Sequence, residues 1–245
     1  MDKILWGGPA SFTYILSMVF VFGLGVGFYF LLRNKSEKVV KLVLFPFSLF
    51  GLAAVIINLT VFNDPLHYLP LEFCSYTAIF IPILVLIPKP NILGNYLLIG
   101  SLGALVALIL RAPNSYEWPF FSVAFFCYFF GHTAEFLVPQ LLFALKKIEV
   151  KPKYMISTMV IVLVLYTMSY LIGHNVNVAF GLNTNYFFSE FPTNAVLQLA
   201  WNILPQPYWY MYLLFPLFAV LNLLYCIPYF VKKAKEKRKA QAPQS

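Results

Sequence analysis

Seven stretches of about twenty residues run through this chain almost without charge, and that constrains the fold more than any motif does. They span roughly 10–32, 40–62, 69–88, 92–110, 118–146, 153–177 and 207–231. Only 11% of the residues are charged and 61% are hydrophobic. A soluble domain carries about 25% charged residues, so a solvated globular surface is excluded. Disorder is excluded as well, because it needs low hydrophobicity. In hydrocarbon a backbone must satisfy its own hydrogen bonds, and runs of this length do so as helices. The expected fold is all-α: a polytopic membrane protein with seven transmembrane helices in one domain, 1–231. A basic cytoplasmic tail, 232–245, follows and is the one stretch expected to be disordered. The segment 181–206 is the one sizeable loop, and no internal repeat is seen.

The net charge of +8 records orientation more than a partner. Arg33, Lys35, Lys38 and Lys41 follow the first span, and Lys89 the third. Lys146, Lys147, Lys151 and Lys153 follow the fifth, and the tail carries Lys232, Lys233, Lys235, Lys237, Arg238 and Lys239. With seven spans these all fall on one side, and only Lys3 and Arg111 fall on the other. The positive-inside rule then puts the N-terminus outside and the C-terminus inside. The first run is preceded by Asp2 and Lys3, which cancel, and followed by positive charge. It reads as a retained span, not a cleaved signal peptide.

Cys74, Cys127 and Cys226 all lie in apolar runs, with no CxxC pair or Cys/His metal spacing. Neither a disulfide framework nor a metal site is expected, and no cofactor-binding signature is found. No nucleic-acid-binding pattern is present; the basic tail can attract anionic lipid or simply retain the inner end of the last helix.

Polar groups inside the spans are the informative minority, because charge in hydrocarbon is costly and such groups face a bundle interior or a wet cavity. Glu72, His132 and Glu135 are the acids and histidine well inside the predicted spans. Tyr128, His132 and Glu135 share one helical face by their spacing. A carboxylate beside an imidazole orients it and raises its basicity. A cysteine nucleophile needs such a base, and Cys74 is the candidate on the third span. Two readings compete: a hydrogen-bond network that locks helices together, with Cys74 a small buried hydrophobe, or a reactive constellation. Depth argues against the second. Cys74 lies about 5–8 Å below the start of its span and His132 about 20 Å along its own. Glu72 also lies about 200° round the helix from Cys74. A later helix start, after Pro70, would relax that objection.

The outer end carries most of the remaining polarity. Asn58, His67, Arg111 and Glu117 lie there, then Gly173-His174-Asn175-Val176-Asn177 and Gly181-Leu182-Asn183-Thr184-Asn185-Tyr186. Such side chains can bind a polar head group, or can serve loop and turn chemistry. Tyr208, Trp209 and Tyr210 sit where an aromatic belt is expected. Gly23 with Gly27, and Gly103 with Ala107, are small-residue steps that permit close helix packing.

Several short motifs, taken in order, resemble the YwaF-type integral membrane proteins of bacteria. They are Leu69-Pro70-Leu71-Glu72-Phe73-Cys74-Ser75, Gly103-Ala104-Leu105 through Pro113, His132, and Asn183-Thr184-Asn185-Tyr186 followed by Pro192 and the Pro/aromatic stretch 205–210. They cover roughly 60–215. The chain departs from the pattern at Gln206-Pro207-Tyr208-Trp209, at Glu72 and around Arg111. The resemblance extends, more distantly, to the animal ether-lysophospholipid acyltransferase family, and implies Cys74 as nucleophile and His132 as base. It further implies a phospholipid or lysophospholipid substrate and a bacterial plasma membrane. On this reading Glu135 orients His132, and Glu72, Asn58, Arg111, His174, Asn183, Asn185 and Tyr186 are the candidate substrate-binding residues. The alternatives are a transporter or binding protein for a small polar solute or protons, and a non-enzymatic scaffold subunit.

Overall fold

The structure is a computed structural model that describes residues 12–61, 64–88, 91–110, 122–192 and 195–241. Arg111, Glu117, Lys3, Lys89 and Pro113 lie outside the described residues. Among those described there is helix throughout and no strand. The helices are α1 (Phe12–Leu32), α2 (Glu37–Val61), α3 (Phe73–Leu86), α4 (Ile92–Leu110), α5 (Val123–Ala144), α6 (Tyr154–Phe180), α7 (Ala195–Ile203), α8 (Trp209–Tyr225) and α9 (Ile227–Gln241). Four of them, α1, α2, α4 and α6, are individually long and apolar enough to cross a membrane. Counting α8 with α9 as one bent span makes five.

The two predicted spans that fall short of that standard do so for opposite reasons. α3 has 14 residues, about 21 Å of helix against a hydrocarbon thickness of about 30 Å. Pro70 and the extended backbone at Glu72 (φ −77°, ψ 152°) delay its start to Phe73. α5 is long enough, but it carries His132, Thr133, Glu135 and Gln140. It compensates by sitting innermost: it packs on α1, α2, α3 and α4, and its residues from Phe125 to Leu142 are largely buried. Polar side chains are thereby kept from lipid.

Small residues set how close the helices come. A Cβ on Gly51 would lie 3.2 Å from the Ala78 Cβ, and one on Gly131 would lie 3.2 Å from the Ala54 Cβ. α2, α3 and α5 therefore touch almost backbone to backbone at this level. In α1 the close approach is at Gly25, against Leu137, whereas Gly23 and Gly27 meet nothing within 4 Å. The GxxxG step thus faces away from the bundle, two residues and about 200° from the face that packs. Gly103 does pack, against the Phe73 ring.

Buried polar side chains tie the helices across their interfaces. Asn95 donates to Thr158 at 2.7 Å, joining α4 to α6. Gln140 donates to Ser101 at 2.9 Å and accepts from Tyr225 at 3.0 Å, joining α4, α5 and α8. Ser169 of α6 donates to the Leu71 carbonyl at 2.6 Å and lies 3.1 Å from the Tyr76 hydroxyl. This last pair fixes the sunken start of α3.

The basic segments gather at one end of the bundle. Lys41 donates to the Leu86 carbonyl at 3.3 Å, placing the α2 start beside the α3 end. Lys147 lies within electrostatic reach of Glu37, and Glu149 within reach of Lys232. The expected disordered tail is helical as far as Gln241. α9 follows α8 after a break at Cys226 with a bend of 41°. Pro228 cannot donate a helix hydrogen bond, which accounts for the break. Its Lys/Ala/Glu/Arg/Gln composition, rich in strong helix formers, accounts for the continuation.

The loop after α6 is also more ordered than a connector need be. Gly181 (φ 64°) ends α6 in the left-handed conformation. A 3-10 turn at Tyr186–Phe188 and the short helix α7 follow. Trp209 is fully buried against Trp201 and Tyr210, so it belongs to the core and not to an interfacial belt; Tyr208 stays partly exposed.

Candidate functional site

Beside the close contact of α2, α3 and α5 the three helices line a half-open cavity of about 320 Å³. α2 supplies Gly51, Ala54, Val55 and Asn58. The loop before α3 supplies Tyr68, and α3 supplies Cys74 and Ser75. α5 supplies Ala124, Cys127, Tyr128, His132 and Glu135. The expected Cys74, His132, Glu135 and Asn58 are therefore brought together on one surface.

The depth objection is removed by the short α3. Cys74 lies twelve residues before Leu86, the last residue of α3. His132 also lies twelve residues before Ala144, the last residue of α5. At 1.5 Å per residue, each sits about 18 Å from the basic end of its helix. The two helices run in the same direction, so the residues reach the same level. The late start of α3 also dissolves the angular objection, because Glu72 is the residue before the helix and not part of its wheel.

The orientation of His132 is set by its own helix. Nδ1 lies 2.9 Å from the Tyr128 carbonyl oxygen, and the ring stacks on the Tyr128 ring at 4.6 Å. A carbonyl can only accept, so Nδ1 carries the proton and Nε2 of the neutral ring keeps its lone pair. Tyr128 is itself held by donation to the Ala107 carbonyl at 2.6 Å. The orienting group is thus a backbone carbonyl one turn earlier. Glu135 is buried, and its Oε2 has no hydrogen-bond partner among the described residues. It lies within electrostatic reach of Cys74. A buried carboxyl oxygen left without a partner is costly, and it adds a polar group that can be used on this surface.

Glu72 has a different task. Its Oε2 accepts from the Phe187 backbone N–H at 2.9 Å, which ties the post-α6 loop to the start of α3. Of the remaining candidates, Arg111 lies outside the described residues, and Tyr186, Asn185, Asn183 and His174 lie in or beside that loop and do not line the cavity. Tyr186 is buried in the core, its ring filling the space where a Cβ on Gly173 would sit 2.9 Å away. Asn185 accepts from the Glu190 and Phe191 backbone N–H groups and donates to the Phe191 carbonyl, closing a turn. Asn183 and His174 are exposed, with His174 Nδ1 3.6 Å from Glu190 Oε1.

Cys127 and Tyr68 join the cavity without having been singled out in the sequence. For Cys127 the signal was present: Cys127, Gly131 and Glu135 repeat at intervals of four, and Ala124, Tyr128 and His132 form the adjoining row. For Tyr68 there was none, since a loop position carries no periodicity.

An all-helical bundle of long apolar helices, with its buried polar groups turned toward neighbouring helices and a half-open cavity, is the architecture of a multi-pass membrane protein. The particular kind is given by comparison: the model of the TMEM164 family matches residues 6–225, and the chain belongs to that family. No curated protein and no solved structure matches the chain.

Proposed function

We propose that this chain is a membrane-embedded lipid acyltransferase working through a cysteine thioester. The observation that carries the reading is that Cys74 and His132, from two different helices, line one cavity at one level, with the His132 Nδ1 already committed. The motif resemblance supplies the reaction class.

In the first half-reaction the Cys74 sulfur attacks the carbonyl carbon of an acyl ester while His132 Nε2 takes the thiol proton. The ester C–O bond breaks, the acyl group stays as a thioester, and His132 returns the proton to the departing lysolipid oxygen. In the second half an acceptor hydroxyl gives its proton to Nε2 and attacks the thioester. The C–S bond breaks and the thiol is reprotonated. Asn58 donates to the oxyanion, and Glu135 stabilises the imidazolium through charge. The lipid enters sideways between helices, so no aqueous channel is required.

The reading extends to topology: seven spans, N-terminus outside and C-terminus inside, in a bacterial plasma membrane. Reporter fusions at residue 36, at 149 and at the C-terminus should read inside, and one at 187 outside. The enzymatic claim is tested by lipidomics of membranes holding wild type, Cys74→Ser or His132→Ala at matched protein levels. Both variants should lose the same remodelled species. Lipid profiles identical to wild type in both would sink the assignment.

A further inference from the structure

At the opposite end of the bundle, the linker after α5 and the first two turns of α9 face each other across a groove of about 510 Å³. Its lining is Lys151, Pro152, Lys153, Tyr229, Phe230 and Lys233. Three lysines from segments about eighty residues apart line it, and no carboxylate does. Lys151 is shared with Glu149, at 2.8 Å, outside it. Lys233 lies over the Tyr229 ring at 5.6 Å and Lys153 over the Tyr154 ring at 5.2 Å, so aromatic faces hold both cations near the groove. A groove edged by lysines and by no carboxylate attracts an anion.

The surroundings specify what kind of anion. Ile227, Phe230 and Val231 are about half exposed and share one face of α9. Beyond Tyr229 a second groove of about 930 Å³ is mixed: Phe143, Tyr225 and Val231 line it together with Lys146, Lys232, Lys235, Glu149 and Glu236. Cationic and apolar surfaces therefore meet at Tyr229, where the apolar helices of the bundle give way to charge. A free anion uses only the first surface; an amphiphile uses both.

We propose that this is a binding site for an anionic phospholipid, with the phosphate among Lys151, Lys153 and Lys233 and an acyl chain along the apolar face of α9. It is separate from the Cys74 cavity and does not depend on the acyltransfer reading. The bound lipid bridges the linker to α9 and holds the bend between α8 and α9.

The test is native mass spectrometry of the full-length chain in neutral detergent. The probes are phosphatidylglycerol and phosphatidylcholine of matched chains. Phosphatidylglycerol should be retained about tenfold more tightly, and Lys151→Gln/Lys153→Gln/Lys233→Gln should lose roughly tenfold or more of that affinity. Lys35→Gln/Lys38→Gln, also at the basic end, should lose less than about twofold. The arginine triple variant should restore binding. Equal retention of the two lipids, or equal loss in the Lys35/Lys38 control, would overturn the site in favour of diffuse attraction. Displacement of the lipid by equimolar inorganic phosphate would overturn the lipid assignment.

Discussion

Glu72 offers the sharpest test of how the start of α3 is built. Phe187 and Phe188 hold left-handed backbone conformations, φ 56° and 53°. For a bulky non-glycine residue that costs of order 1–3 kcal/mol each. The loop tolerates it because Phe187 is 1% exposed, packed on the Phe73 ring at 5.1 Å and the Tyr166 ring at 5.4 Å. The Asn177 side chain also bonds Thr184 at its carbonyl, its N–H and its hydroxyl. Against that, the Glu72 oxygen 2.9 Å from the Phe187 nitrogen is the one side-chain acceptor seen for this N–H. Glu72→Ala leaves a buried donor unsatisfied, at about 1–3 kcal/mol. Opening of the turn should then become roughly 5–150 times more frequent. Glu72→Gln keeps a side-chain oxygen available and should lose much less. Hydrogen exchange of the peptide 185–189, with the protein in nanodiscs, reads the effect directly. Unchanged exchange in Glu72→Ala would refute the clamp and return Glu72 to the substrate-binding candidates.

Three further substitutions probe the elements around the cavity. Ser169→Ala should cost about 1–3 kcal/mol in a denaturation assay, because it strips a buried partner from the Leu71 carbonyl and the Tyr76 hydroxyl; an unchanged midpoint would mean the start of α3 is not fixed there. Tyr128→Phe breaks the 2.6 Å bond to Ala107 but leaves the carbonyl that orients His132. It should therefore lower stability by about 1 kcal/mol while lipid remodelling persists, and complete loss of remodelling would show that the hydroxyl takes part. Gly51→Val forces a side chain against Ala78 at a 3.2 Å approach and should cost about 1–3 kcal/mol, with Ala78→Gly recovering part of it. Strict additivity of that pair in a thermal-melt cycle would contradict the close contact.

How much was legible depended on whether periodicity carried the information. The long apolar runs marked α1, α2, α4 and α6 to within a few residues, because window hydropathy responds to such helices alone. α7 escaped, since nine residues cannot fill a twenty-residue window. The charge of 232–239 argued for disorder, although the same residues are good helix formers, and local propensity prevailed as far as Gln241. In the site, Tyr128, His132 and Glu135 were readable as one face of a helix. Its assembly with Asn58 and Tyr68 was not, because those contacts cross between elements. Asn185 and Glu72 looked available for a ligand, yet both are engaged by loop backbone, which a sequence does not reveal.

The cavity itself follows from what α3 lacks. Where Gly51, Ala54, Ala78 and Gly131 meet, α2, α3 and α5 pack with almost no space between backbones. Cys74 lies one turn beyond Ala78 on α3 and Cys127 one turn beyond Gly131 on α5, while His132 directly follows Gly131. Were α3 to continue as a regular helix past Phe73, its preceding turns would pack against α2 and α5 and fill that space. Instead Pro70 and the extended Glu72 end it there, and the chain leaves through the open segment that carries Tyr68. The Glu72 carbonyl still takes the first helical bond, from Tyr76 N–H, and the Leu71 carbonyl, which has lost its own, accepts from Ser169 instead. A shortened helix in a membrane is tolerable only with such replacements. The stretch Leu69-Pro70-Leu71-Glu72 therefore does two jobs at once. It truncates the helix so that Cys74 faces an opening, and it anchors the truncated end so that the opening does not collapse.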